Sequence, residues 1–155
     1  MREYKRYWLA LVAVLIIGFG FLGYYGAEVY RQSPPMVSFV DENGNVVIEE
    51  ESIYKGQEAW QSIGGMQVGS VWGHGAYQAP DWSADWLHKE LMAFLQIKAG
   101  EIYNAKYEDL NDEQKAHLKV ILKKEYRTNT VKNGTITLSK DRIAAMNSVA
   151  SEYSA

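Results

Sequence analysis

The feature that most constrains this chain is an uninterrupted apolar segment close to its N-terminus. Residues 7–27 contain no charged side chain, and Leu9–Phe21 is almost entirely aliphatic or aromatic. A bilayer core about 30 Å thick needs roughly 20 such residues in a helix. Tyr7 at one end, and Tyr24 and Tyr25 at the other, are typical of the aromatic belts at the two membrane interfaces. The segment therefore predicts a transmembrane helix over residues 7–27.

Basic residues precede this segment. Arg2, Lys5 and Arg6 come before it, and Lys and Arg accumulate on the cytoplasmic side of membrane helices. We therefore expect residues 1–6 to form a cytoplasmic tail, and the bulk of the chain to lie on the extracytoplasmic side of the membrane. A cleaved signal peptide is the alternative, but its apolar region is shorter and ends in small residues. Tyr24–Tyr25 occupies that place here, which favours an uncleaved anchor.

The rest of the chain is mildly acidic and has no cysteine. Without Arg2, Lys5, Arg6 and Glu3, the totals of 16 basic and 19 acidic residues become 13 and 18. A nucleic-acid-binding protein needs a basic face that displaces counterions, so we set that class aside. The absence of cysteine excludes disulfides, thiolate metal sites, iron–sulfur clusters and covalently attached c-type haem.

Turn and capping residues divide the chain beyond the apolar segment into short elements. Residues 28–36, with Ser33-Pro34-Pro35, predict a stiff linker, and residues 37–155 predict one small extracytoplasmic domain. Two apolar runs around Asn-Gly pairs predict two β-hairpins, at 37–48 and 130–138. Helices are predicted over Ser52–Ile63, from Asp81 or Ser83 to about Gln96, from the Asn111/Gln114 capping box to about Tyr126, and after Ser139. The expected fold is mostly α, and its end in an amphipathic helix suggests a longer polypeptide or a subunit of a complex.

A glycine-rich aromatic segment is the candidate functional region. Residues 64–80 predict a long loop with five glycines, in which Gly73 and Gly75 bracket His74. Glycines in this arrangement indicate a sharp turn or a close backbone approach. Aromatic residues in such a loop, here Trp72 and Tyr77, indicate contact with a partner surface or a planar ligand.

Two weaker chemical alternatives involve the residues around this loop. His74 could act as a general base with Ser70 and Asp81, although no nucleophile-elbow motif surrounds them. Asp81, Asp85 and His88 lie at i, i+4 and i+7, a spacing that could present three metal ligands on one helix face. A capping Asp, an exposed Asp and a surface His are the plainer interpretation of that triple.

The run Gly69–His88, GSVWGHGAYQAPDWSADWLH, resembles the N-terminal region of quinol-dependent nitric oxide reductases. These are relatives of the haem–copper oxidases. In this family, a first transmembrane helix leads into an extracytoplasmic cytochrome c-like domain without haem, and a catalytic transmembrane bundle comes after it. The resemblance covers essentially the whole chain, and it implies a cytochrome c-like helical domain at the cytoplasmic membrane of a bacterium or archaeon.

The resemblance also implies where cofactors are absent or shared. The related cytochrome-c-dependent enzymes carry a Cys-x-x-Cys-His haem motif, and Gly65, Val68 and Gly69 stand at those positions here. By their positions in the family motif, the Gly75 carbonyl and Tyr77 are implied to help hold a calcium ion that is shared with haem propionates in the full enzyme. The b-type haems and the non-haem iron of the family have their ligands on later transmembrane helices.

The implied function is that of a non-catalytic module. It would cap the haem-containing bundle of an enzyme that converts two NO, two electrons from quinol and two protons to N₂O and water. No catalytic residue is expected in this chain. The residues implied to dock on the bundle are Trp72, Gly73, His74, Gly75, Tyr77, Pro80 and Trp82. The alternative is a stand-alone membrane-anchored extracytoplasmic binding domain.

Overall fold

A computed structural model describes residues 2–32 and 36–154. The chain divides between residues 35 and 36 into two units. The predicted Ser33-Pro34-Pro35 turn of the linker lies outside the described residues.

The first unit is a single helix, α1, spanning Arg2–Arg31. Within its Tyr4–Arg31 portion, a stretch of 18 residues has a mean hydropathy of 2.1 and none of that stretch is buried, so the helix is long and apolar enough to cross a membrane. The prediction of one long apolar N-terminal helix is confirmed. The helix continues past residue 27, and Glu28 accepts hydrogen bonds from Arg31 and Gln32 in its last turn.

The second unit is mostly helical, as predicted. Its α-helices are α2 (Glu50–Ser62), α3 (Gly65–Val68), α4 (Trp82–Tyr103), α5 (Asp112–Arg127) and α6 (Lys140–Tyr153), with a 3₁₀ turn at Tyr107–Asp109. Its strands are β1 (Ser38–Val40), β2 (Val46–Ile48), β3 (Ser70–Val71), β4 (His74–Gly75), β5 (Val131–Lys132) and β6 (Thr135–Thr137).

The two predicted hairpins are present and belong to one small sheet. The strand order is β2-β1-β6-β5, with β1 and β6 parallel, so Phe39 pairs with Ile48 on one side and with Ile136 on the other. Asn133 and Gly134 both have positive φ, of 49° and 78°, as a two-residue hairpin turn requires. The parallel pairing joins segments that are far apart in sequence, and the hairpin patterns alone did not predict it.

The core lies among α4, α5 and α6. Phe94 and Ala99 of α4, Leu118 of α5, and Ala145 and Val149 of α6 are all buried. The predicted caps are present: Ser139 accepts from the backbone of residue 142, and the capping box of α5 is complete.

The predicted end of α4 near Gln96 is wrong. The helix continues to Tyr103, because its apolar face continues through Leu95 and Ala99, and it ends where Asn104 takes the left-handed conformation.

A buried carboxylate ties these three helices together. Glu90 of α4 is only 5% exposed. It accepts hydrogen bonds from Trp86 Nε1 at 3.0 Å and from Tyr126 Oη at 2.9 Å, and Arg142 Nε lies 3.5 Å from it. Burial, together with the Glu90 charge, raises the pKa of the Tyr126 phenol, so the phenol stays protonated and donates to the carboxylate.

Candidate docking site

Residues 64–80 are more ordered than the predicted long loop. They contain the short helix α3 and the two-stranded ribbon β3–β4, in which Ser70 pairs with Gly75 and Val71 pairs with His74. The short helix escaped prediction because its four residues are too few to show helical periodicity.

Asp81 fixes this ribbon to the start of α4. Its carboxylate caps the helix by accepting from the Ala84 amide at 2.9 Å. The same carboxylate accepts from Ser70 Oγ at 2.8 Å and from the Gly73 amide at 2.7 Å. These bonds, above all that from Gly73, hold the pKa of the Asp81 carboxyl below its usual value. The ionised Asp81 carboxylate therefore connects the ribbon to the first turn of α4.

The tip of the ribbon is a tight turn formed by Trp72 and Gly73. Both have positive φ, of 54° and 74°. The Trp72 amide donates to Ser83 Oγ at 3.0 Å, while the Trp72 side chain is 75% exposed. Sequence reasoning identified Trp72 but not the part played by Ser83, which was considered only as a helix cap.

Gly75 lies where two backbone segments meet. The Ala76 amide donates to the carbonyls of Met66 and Gly69, at 3.0 and 3.2 Å. A Cβ at residue 75 would overlap the Gly69 carbonyl, and the φ of 140° also disfavours a side chain there. This is the close backbone approach that the bracketing glycines indicated.

The calcium prediction depends on two oxygen donors of this loop. Tyr77 is 99% exposed, so its phenol is accessible, whereas the Asp81 carboxylate is already engaged by the ribbon. Calcium takes six to eight oxygen ligands. The Gly75 carbonyl and Tyr77 have suitable chemistry, but they supply only part of such a shell.

The Asp81, Asp85 and His88 triple does not form a metal site. No group of three His, Cys, Asp or Glu residues suited to a metal occurs among residues 2–32 and 36–154. Asp85 instead contacts Lys89 at 3.2 Å and accepts from the Tyr153 phenol. Asp81 caps the helix and His88 is exposed, as the plainer interpretation of the triple has it, whereas Asp85 is partly buried and paired.

The hydrolase alternative finds no support in this geometry. Ser70 is buried and its hydroxyl donates to Asp81 rather than to an imidazole. His74 is exposed, and no hydrogen bond links it to either residue within the described part of the chain. The three side chains do not form a nucleophile, base and orienting acid in series.

Two of the three positions at which the haem motif is replaced lie directly against indole rings, while the third, Val68, is 61% exposed. A Cβ at Gly65 would overlap the Trp60 ring, and a Cβ at Gly69 would overlap the Trp82 ring. The two rings pack edge to face with their centroids 6.4 Å apart. A covalent haem does not fit here, because its thioether and histidine positions carry no suitable side chain and the adjacent space is occupied.

The location of Trp82 corrects one expectation. Trp82 was implied to dock on the bundle together with Trp72, but its side chain is half-buried against Trp60. Its Nε1 is buried without a hydrogen-bond partner among the described residues. The remaining docking candidates, including His74 and Pro80, are exposed or partly exposed. Trp60 was not predicted to belong to the site, although Gly64-Gly65 after its helix was a signal of close packing.

Comparison with known protein families gives one clear result. The family model of the NorB cytochrome c-like domain, from nitric oxide reductase, matches residues 36–155. No curated protein matches the chain.

Proposed function

The chain belongs to the family of the NorB cytochrome c-like domain of nitric oxide reductase, and we propose that it is the N-terminal, non-catalytic module of a quinol-dependent enzyme of this kind. In this proposal the enzyme belongs to the haem–copper oxidase superfamily. The module is held at the membrane by α1 and caps the haem-containing bundle on its extracytoplasmic face. The family match over the whole of the second unit carries this proposal.

The packing around Gly65 and Gly69 supports the quinol-dependent type. A cytochrome c-like domain with a haem can receive electrons from a soluble donor, whereas this domain lacks the ligating side chains and fills the adjacent space with Trp60 and Trp82. The electrons must then reach the bundle by another route, and a membrane quinol is the donor that the resemblance implies. The b-type haems and the non-haem iron would supply the NO chemistry, and this chain supplies none of their ligands.

The ribbon and its tip are the surface proposed to dock on the bundle. Trp72 and Tyr77 are exposed aromatic residues, and Asp81 fixes the backbone next to Trp72, so this indole can enter a partner surface with little reorganisation. In the assembled enzyme, the Gly75 carbonyl and Tyr77 would contribute two oxygens to a calcium ion, and the bundle and haem propionates would contribute the others.

The test is extraction of the tagged protein from its native membrane in mild detergent, followed by an absorption spectrum and a nitric oxide consumption assay. The proposal predicts a b-type haem spectrum and NO consumption in the eluate. A colourless eluate without NO consumption would contradict it and favour a stand-alone anchored binding domain. A haem spectrum without NO consumption would also contradict the assignment to a nitric oxide reductase.

A further inference from the structure

Trp72 combines an unfavourable backbone conformation with an exposed side chain. Its φ of 54° is in the left-handed region, and the other non-glycine residues with positive φ in the described ranges are Asn104 and Asn133. Asn tolerates this conformation because its short side chain can bond locally, whereas a bulky L-residue pays a steric cost. The Trp72 side chain is 75% exposed, so packing within the domain does not offset that cost.

Specific hydrogen bonds hold the strained turn in place. The Trp72 amide donates to Ser83 Oγ at 3.0 Å, and the next amide, that of Gly73, donates to the Asp81 carboxylate at 2.7 Å. Both acceptors lie at the start of α4, the longest helix of the second unit. The indole is therefore presented on a rigid support. Strain that the surroundings maintain around an exposed side chain points to a function outside the domain.

The chain segment that carries this indole has no charged side chain. From Ala59 to Pro80 the chain has no Asp, Glu, Lys or Arg, although 23% of all residues are charged. Large apolar side chains along this segment are nevertheless exposed, including Ile63 at 77% and Val68 at 61%. The centres of protein interfaces are depleted in charge and enriched in aromatic residues and Met. The segment has the composition of an interface centre rather than that of a surface facing water.

We propose that Trp72 is the anchor of this docking surface, and that Asp81 and Ser83 are positioning residues that hold it in its binding conformation. The occupant is an uncharged, apolar pocket on the extracytoplasmic side of the reductase bundle; this identity rests on the proposed function. A protein pocket gains from a side chain with a fixed direction, because less entropy is lost on binding. A fluid bilayer interface gains nothing from that rigidity, which favours a protein occupant over lipid.

The test uses a substitution that separates stability from docking. Trp72→Gly relieves the backbone strain and removes the indole, so it should raise the urea midpoint of unfolding while it weakens docking. Docking is measured in native membranes by the cross-linking yield of p-benzoylphenylalanine placed at the exposed Gln78, beside the docking residues. This yield should fall at least tenfold. Asn133→Gly is the matched control. It relieves the backbone strain of a left-handed residue in the turn of the β5–β6 hairpin, and the cross-linking yield should not change.

The identity of the cross-linked product decides the partner. A product with the b-haem-containing reductase supports both the anchor and the proposed function. A product with a haem-free membrane protein, lost in Trp72→Gly, supports the anchor but overturns the proposed function. Cross-links to lipid alone, or a yield unchanged in Trp72→Gly, overturn the anchor. Ser83→Ala should lower the yield less than Trp72→Gly, and restoration by Ser83→Thr would confirm that the hydroxyl acts through the turn.

Discussion

At the scale of single residues, the packing of Gly69 against Trp82 depends on the absence of one methyl group. The Trp82 indole lies where a Cβ of residue 69 would be, and the ring in turn contacts Trp60. A tightly packed interior accommodates an added carbon only by moving side chains or backbone. The two indoles thus make glycine a packing requirement at a position where the haem-binding relatives are expected to carry histidine.

This packing predicts opposite effects for two Gly→Ala substitutions. Gly69→Ala should lower the free energy of unfolding by about 1–3 kcal/mol, because the indole must shift. Gly56→Ala, within α2 and with open space around its Cβ position, should raise it by up to about 1 kcal/mol. Urea unfolding of the full chain in detergent, followed by tryptophan fluorescence, measures both. An unchanged stability in Gly69→Ala would contradict the close packing of Trp82 on residue 69.

Asp81 predicts a pH dependence with a defined sign. Its folded-state pKa lies below the usual 3.8, mainly because the Gly73 amide donates to it. A depressed carboxyl pKa contributes stability that is fully present above the unfolded-state value and is lost as the pH falls through the folded-state value. Wild type should therefore be more stable than Asp81→Asn at pH 7. The Asn side chain has a single acceptor oxygen, so it cannot both cap the Ala84 amide and accept from Ser70 and Gly73. The difference should shrink below pH 3.8; a difference independent of pH would show that the charge plays no part.

At the scale of elements, local signals located most of the helices and hairpins. The capping box of α5 and the Asn-Gly turn of the second hairpin act within four residues of chain, so their geometry follows from nearby side chains. The boundaries were less accurate. The end of α4 depends on burial of Ala99 by other elements, and helical propensity does not report that burial.

The hydrogen bonds that Glu90 accepts from α5 and α6 predict how strongly these helices and α4 depend on one another. Glu90→Ala should destabilise the chain by roughly 3 kcal/mol, because Arg142 and the Tyr126 hydroxyl lose their buried partner. Glu90→Gln, which keeps the shape, should cost roughly half as much. Glu101→Ala, which breaks only an exposed contact with Lys98 on the same helix, should cost less than about 1 kcal/mol. An equal loss of unfolding free energy in Glu90→Ala and Glu101→Ala would contradict a stabilising role for the contacts of Glu90.

At the scale of the whole molecule, the absence of cysteine makes the membrane topology directly measurable. Single substitutions Tyr4→Cys and Asn43→Cys place one thiol in the first turn of α1, before the apolar segment, and one in an exposed turn of the second unit. The basic N-terminal tail predicts that a membrane-impermeant maleimide, added to intact cells whose outer envelope is permeabilised, labels residue 43 and not residue 4. Labelling of residue 4 alone would reverse the proposed orientation. The unsubstituted chain has no thiol and serves as the blank.

The sequence by itself determined the features that depend on neighbours along the chain. The apolar run predicted α1, the capping residues predicted the starts of α4, α5 and α6, and the Asn-Gly pairs predicted the two hairpins. The motif around Gly73-His74-Gly75 was sufficient to suggest the family that the match over residues 36–155 shows. Each of these signals is short-range or is a direct comparison of residues, so no knowledge of the folded chain is needed.

Only the tertiary structure decided which distant residues meet. The parallel pairing of β1 with β6, the half-buried position of Trp82 on Trp60, and the bond from Trp72 to Ser83 depend on contacts between separate elements. Residue type and spacing were compatible with an exposed Trp82 as much as with a buried one, because an indole serves equally in a core and at an interface. The free energy of packing the whole domain decides whether Trp82 is exposed or buried. Trp82 packs on Trp60, and the exposed indole at the tip of the ribbon is that of Trp72.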